Sequence, residues 1–147
     1  MSLDAAIREQ VTTILGRYPE IAGAYLFGSL ARGDARSDSD VDLGIVFRKR
    51  GETALDHHRT IGDLASRLED VFPGRRLDLV VLESQGPIFG HRVLMEGERI
   101  YAADFERCVD FESDTVVRAF DHRPTHDMVS AEARRSIQCW VREKMAR

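Results

Sequence analysis

Apolar positions along the chain switch between two periods, and the switches mark out the elements. Leu3, Ile7, Val11, Ile14 and Leu15 recur at helical spacing as far as Tyr18, and Pro19 ends that run. The apolar stretch from Ile21 to Phe27 predicts a buried strand closed by Gly28-Ser29. Leu30-Ala31-Arg32-Gly33 is long enough only for a helical turn, and residues 34–39 form a polar loop rich in turn formers. From Asp40 to Phe47 the pattern alternates. Val41, Leu43, Ile45 and Phe47 fall on one face, and Asp40 and Asp42 fall together on the other. A helix is predicted from Ala54 to Phe72, with Ile61, Leu64, Ala65, Leu68 and Val71 as its inner stripe and Pro73-Gly74 as its end. Leu77 to Leu82 predicts a strand interrupted only by Asp78.

Pro87 suits the first position of a short helix carrying Ile88, Phe89 and Val93, closed by Gly97. A short strand over Arg99 to Tyr101 follows. Asp104 then caps a long helix to about Asp121, with Phe105, Val109, Val116 and Phe120 inward. Pro124 punctuates, and Ser130 caps a last helix whose stripe is Ile137, Trp140, Val141 and Met145. This order predicts an α/β (α+β) domain, a small mixed sheet flanked by helices. The expected division is a main domain over residues 1–124 and a C-terminal helical extension over 125–147.

A length of 147 residues suits one buried core, and 43% apolar with 31% charged residues excludes a disordered chain. No apolar run approaches the ~20 residues that span a bilayer. Met1-Ser2-Leu3-Asp4 lacks the pattern of a secretory signal. Cys108 and Cys139 stand apart, as reduced thiols of a cytoplasmic protein. The net charge of −4 argues against general affinity for nucleic acid, although ATP remains accessible if metal ions bridge the repulsion.

The candidate chemistry lies between residues 28 and 42. A strand that ends in Gly28-Ser29 before a helical turn lets backbone N–H groups and a hydroxyl approach phosphate oxygens. Two carboxylates on one face of the next strand, Asp40 and Asp42, repel each other unless a cation sits between them. Such hard oxygen ligands suit Mg²⁺. Asp78 offers a third carboxylate from another strand, because a charge among Leu77, Leu79, Val80 and Val81 is costly to bury unpaired. A salt bridge to Arg75 or Arg76 is the competing role for Asp78. Three converging carboxylates suit two metals flanking an in-line phosphoryl displacement, with Asp78 as general base or second-metal ligand. Chance places the spacing G-S-x10-D-x-D in a chain of this length roughly once in four hundred times.

Gly28-Ser29-Leu30-Ala31-Arg32-Gly33-Asp34 together with Ser39-Asp40-Val41-Asp42-Leu43 resembles the signature of the DNA polymerase β-type nucleotidyltransferase superfamily. Within it the segment is similar to the minimal nucleotidyltransferases, the MntA-type antitoxins. Arg76 through Leu82, Val93 through Gly97, and the helix after Asp104 with Phe111 and Glu112 extend the resemblance over about residues 5 to 124. It implies a polymerase β-like fold, with Gly28 and Ser29 on the nucleotide phosphates and Asp40, Asp42 and Asp78 as catalytic Mg²⁺ ligands. Arg32 and Ser39 are further candidate nucleotide-binding residues. Arg32 lies near the phosphates or, equally, bridges to Asp34 or Asp38. Ser39 hydrogen-bonds the loop of Asp40 or shapes the turn.

The resemblance further implies transfer of AMP from ATP to a tyrosine of a cognate HEPN-type RNase toxin (HepT), which silences the toxin. Two other readings compete with it: nucleotide transfer to a small molecule, and inhibition of the partner by contact alone. No membrane or direct nucleic-acid partner is expected, whereas assembly with itself or with the toxin is open. His57-His58 on the exposed side of its helix, and His122 and His126 around Pro124, are set aside as metal ligands. The last helix, with Arg134, Arg135, Arg142, Lys144 and Arg147 around its apolar stripe, packs on its own domain or docks a partner.

Overall fold

The computed structural model describes residues 3–33, 36, 39–52, 55–121 and 131–146, with side chains in the last segment from residue 135. The elements in chain order are α1 (Ala5–Leu15), β1 (Ile21–Phe27), α2 (Ser29–Arg32), β2 (Val41–Phe47), α3 (His58–Glu69), β3 (Leu77–Val81), α4 (Pro87–Glu96), β4 (Glu98–Ala102), α5 (Phe105–Asp121) and α6 (Ala131–Ala146). A 3-10 turn, Leu82–Ser84, links β3 to α4, so Leu82 leaves the strand that the apolar pattern assigned to it.

The sheet runs β3-β2-β1-β4. β1 pairs antiparallel with β2 and with β4, while β2 and β3 are parallel, joined by the α3 crossover. The sheet is therefore mixed, as predicted. One face carries Val11 and Leu15 of α1 and Leu64 and Leu68 of α3 against Val41, Leu43, Ile45 and Phe47. The other carries Val93 and Leu94 of α4, Cys108, Val109, Phe111 and Val116 of α5, and Val141 and Met145 of α6, against Tyr25 and Val46. With helices on both faces, the central strands are buried on both sides. β1 shows no alternation, and Gly44 and Val46 are buried along with the predicted inner face of β2.

Local chemistry sets the boundaries. Asp4 caps α1 through the Ala6 N–H, and Asp104 caps α5 through the Arg107 N–H at 3.1 Å. Pro87 stands in the first turn of α4, where its missing N–H costs nothing. Among the described residues α3 begins at His58, later than predicted. His57 is not on an exposed face: its ring stacks on Phe47 at 3.8 Å between centroids and its Nε2 pairs with Glu52.

The stripe on α5 also departs from prediction. Val109 and Val116 are buried, but Phe105 and Phe120 are exposed, and the inward positions include Arg107, Glu112, Ser113 and Thr115. A reading based on apolar period passes over these polar residues because their partners come from other elements. Arg107 donates from Nε to the Phe47 and Arg48 carbonyls at 3.0 and 3.2 Å and pairs with Glu83, which ties α5 to the end of β2. On α6, Val141 and Met145 are buried as predicted, whereas Trp140 faces outward with Lys144 over its ring at 5.4 Å. The expected boundary at residues 124 and 125, the cap at Ser130, His122, His126 and Ala54 lie outside the described residues. No described helix is long and apolar enough to cross a membrane.

Candidate functional site

The turn after β1 is built for close approach. Gly28 has φ 74° and ψ −154°, a conformation essentially confined to glycine, and a Cβ there would lie 2.2 Å from Asp42 Oδ2. A side chain at this position is therefore excluded both by the backbone and by the neighbouring carboxylate. Ser29 opens α2, whose four residues leave the first-turn N–H groups without intrahelical acceptors. Gly33, at φ 82°, closes the turn by donating to the Ser29 carbonyl at 3.0 Å.

The register of the sheet brings the carboxylates together. Phe27 pairs with Asp42, and Asp42 pairs with Asp78 across the parallel β2–β3 ladder. Asp40 precedes β2, exposed, rather than belonging to the strand, because the ladder begins at Val41 opposite Leu77. The Asp42 carboxyl is raised above its ordinary range, first by partial burial and then by the charges of Asp78 and Asp40; Arg32 partly offsets this. Asp42 thus feels both of the other carboxylates. Among the described residues no group of three or more His, Cys, Asp or Glu side chains forms a ready-made metal cluster. The donor set still fits a hard divalent cation, since it consists of carboxylate oxygens whose mutual repulsion a cation relieves.

A cavity of about 570 Å³ opens at this point, lined on the sheet side by Gly28, Arg32, Asp42 and Asp78. Ser29, Ser39 and Asp40 do not line it. The Ser39 hydroxyl accepts from the Arg36 N–H at 2.6 Å and the Ser39 N–H donates to the Arg36 carbonyl at 3.1 Å, so this serine shapes the loop before Asp40. Arg32 reaches Glu96 at 3.7 Å; Asp34 and Asp38, its predicted alternatives, lie outside the described residues. Among the described ion pairs none joins Asp78 to Arg75 or Arg76.

The far wall comes from residues that sequence reasoning missed. α4 contributes Phe89, Arg92, Val93 and Glu96, and Gln85 precedes it. The Phe89 ring meets Phe27 edge-on at 5.6 Å, and the Arg92 guanidinium lies 5.6 Å from the Phe89 centroid. Their sequence signal was the predicted helix itself, with Phe89 and Val93 among its apolar positions; nothing in the sequence alone directs that helix to the cavity.

The family model described as Polymerase beta, Nucleotidyltransferase matches residues 9–106. Among solved structures, the chain is similar to a toxin–antitoxin with AMP-PNP. That match is 18% identical, covers 94% of this chain and 98% of the other, and has a TM-score of 0.60. The toxin-antitoxin MntA-HepT matches at 15% identity over 97% and 99% of the two chains, with a TM-score of 0.58. The tri-AMPylated Shewanella oneidensis HEPN toxin in complex with MNT antitoxin matches at 16% identity over 95% and 97%, with a TM-score of 0.57. These three likenesses concern the fold. No curated protein matches the chain. The family match spans the glycine–serine turn, both strands of the carboxylate ladder and the α4 wall, and on it the chain belongs to the polymerase beta nucleotidyltransferase family.

Proposed function

We propose that this protein is a magnesium-dependent protein adenylyltransferase that moves AMP from ATP to a tyrosine of a HEPN-type RNase toxin and so acts as its antitoxin. The observation that carries this reading is the pairing of Asp42 with Asp78 beside the Gly28-Ser29 turn, at the mouth of a cavity large enough for a nucleotide. Family membership supports nucleotide transfer. The fold neighbours with AMP-PNP, and with an AMPylated HEPN toxin beside an MNT antitoxin, support ATP as donor and a HEPN protein as acceptor.

In this mechanism Gly28 and Ser29 hold the triphosphate by backbone N–H groups and a hydroxyl, and Arg32 approaches it from the cavity wall. Asp40, Asp42 and Asp78 would hold Mg²⁺, which when bound neutralises charge on carboxylates and phosphates and acidifies a nearby hydroxyl. A tyrosine hydroxyl is almost wholly protonated at neutral pH. Asp78 takes its proton as the phenolic oxygen bonds to the α-phosphorus, and the bond from that phosphorus to the β-phosphate oxygen breaks. Pyrophosphate departs with the electron pair. The added adenylate places an anion beside the basic groups of the toxin and competes with RNA for them. The reading takes the cytoplasm as the site of action and α6 as an extension of the transferase domain.

The test is to co-express the neighbouring HEPN reading frame with the wild-type chain and with Asp42→Ala, and then to weigh the purified toxin. Addition of AMP units by the wild type alone is the expected result. An unmodified toxin equally inhibited in both samples would replace this mechanism with inhibition by contact. A toxin left unmodified and active would move the acceptor to a small molecule.

A further inference from the structure

Six large hydrophobic side chains stand exposed among the described residues, and five of them, Ile88, Met95, Phe105, Phe120 and Trp140, come from the three helices on one side of the sheet. Met95 of α4, Phe120 of α5 and Trp140 of α6 line one groove of about 340 Å³, whose floor is Val116 and Ile137. Among the described residues that line it none is acidic. Such clustering is unlike the scattered exposed hydrophobics of an ordinary surface and marks an interaction site.

The groove adjoins the nucleotide cavity through one helix. On α4, Ile88, Arg92 and Met95 follow at intervals of four and three residues and so share a face. Arg92 lines the cavity and Met95 lines the groove. The two sites therefore meet along one face of a single helix, about one turn apart. Cations flank the groove as well: Arg92 at the cavity end, and Lys144 over the Trp140 ring.

We infer that the groove between α4, α5 and α6 is the docking surface for the protein acceptor, and that its occupant is an apolar helix face of the toxin ending in a carboxylate that meets Arg92. This rests on the function proposed above and adds to it the place where the acceptor binds. Apolar contact with Met95, Phe120 and Trp140 supplies affinity in the manner of a helix laid in a groove. The position of Arg92 between groove and cavity fixes the direction of approach, so that the bound partner presents its hydroxyl where Asp42 and Asp78 stand. The continuity through α4 favours the acceptor over a second copy of this chain, which would cover the groove without serving the cavity.

The experiment compares the wild type with Met95→Asp and with Ser136→Arg, a second substitution on the groove rim at an exposed position. Binding of the neighbouring HEPN protein is measured by titration calorimetry in an Asp42→Ala background. Transfer is measured as kcat and KM for the toxin in the active background. Each groove variant is expected to raise Kd and KM for the toxin at least tenfold while kcat at saturating toxin, ATP affinity and thermal unfolding stay near wild type. If Met95→Asp does not fold, Ser136→Arg decides the matter. Unchanged Kd and KM overturn the proposal. A concentration-dependent doubling of the mass of the free protein that the groove variants abolish also overturns it, by giving the groove to a second copy. Tight binding that Met95→Asp weakens, with no AMP transferred by the wild type, keeps the docking surface and removes the transfer reading. Transfer with a KM insensitive to the variants does the opposite.

Discussion

Replacing Gly28 with alanine tests the site at its narrowest point. Two costs combine there. The first is conformational: φ 74° with ψ −154° is a region in which a non-glycine residue costs on the order of 1–3 kcal/mol. The second is a collision, since the new Cβ would lie 2.2 Å from Asp42 Oδ2 and 3.1 Å from its Cγ. The carboxylate must therefore rotate away, which takes from the ladder the group that faces Asp78. The expected loss of stability is about 1–3 kcal/mol. For a chain of this size that lowers Tm by roughly 3–10 °C. Transfer to the toxin should fall at least as far as in Asp42→Ala. Calorimetry and intact-mass kinetics read the two effects separately.

The collision predicts more than the loss. In an Asp42→Gly background the strain remains but the clash is gone, so Gly28→Ala should destabilise less there than in the wild type. Coupling energies of contacting residues run to about 0.5–3 kcal/mol. Wild-type transfer by Gly28→Ala at an unchanged Tm would refute the argument, and additive destabilisation in the double variant would refute its steric half.

Other outcomes follow from the electrostatics. Asp42 has a folded pKa above its ordinary value, so its ionisation opposes folding: the neutral form's stability is full at low pH and is lost as pH rises through the folded pKa. Asp42→Asn should therefore abolish transfer yet raise Tm at neutral pH without Mg²⁺, and the gain should vanish near pH 3. Glu112 follows the same sign over a wider window, since burial first of all pushes it from 4.5 up to about 7, against the opposing pull of Arg99 and Lys144. Glu112→Gln should gain on the wild type as pH climbs from about 4.5 to 7, by at most about 3 kcal/mol, and a pH-independent difference in unfolding free energy would contradict that. Ser29→Ala removes one hydrogen bond to a charged phosphate, about 1.5–3 kcal/mol, so kcat/KM for ATP should fall roughly 10- to 150-fold, less than on loss of an aspartate.

The elements were legible in the sequence because their apolar positions repeat at 3.6 or 2 residues and their ends carry local chemistry such as Asp104 and Pro87. Gly28, Asp42 and Asp78 were legible as candidates for a related reason: glycine before a helical turn, and aspartate inside an apolar strand, conflict with their local surroundings unless something outside the strand uses them. Tertiary structure decided what depends on pairing between distant segments. Only the register of β2 on β3 sets Asp42 against Asp78 rather than a residue away, where the pleat would have turned one carboxylate to the α1–α3 face. Only the packing of α4 across β1 makes Phe89 and Arg92 a wall of the cavity. The burial of Arg107 and Glu112, and the exposure of Phe105, Phe120 and Trp140, likewise came from neighbours on other elements. A helical period describes one helix against a uniform interior, whereas here each helix face meets a particular mixture of carbonyls, charges and solvent.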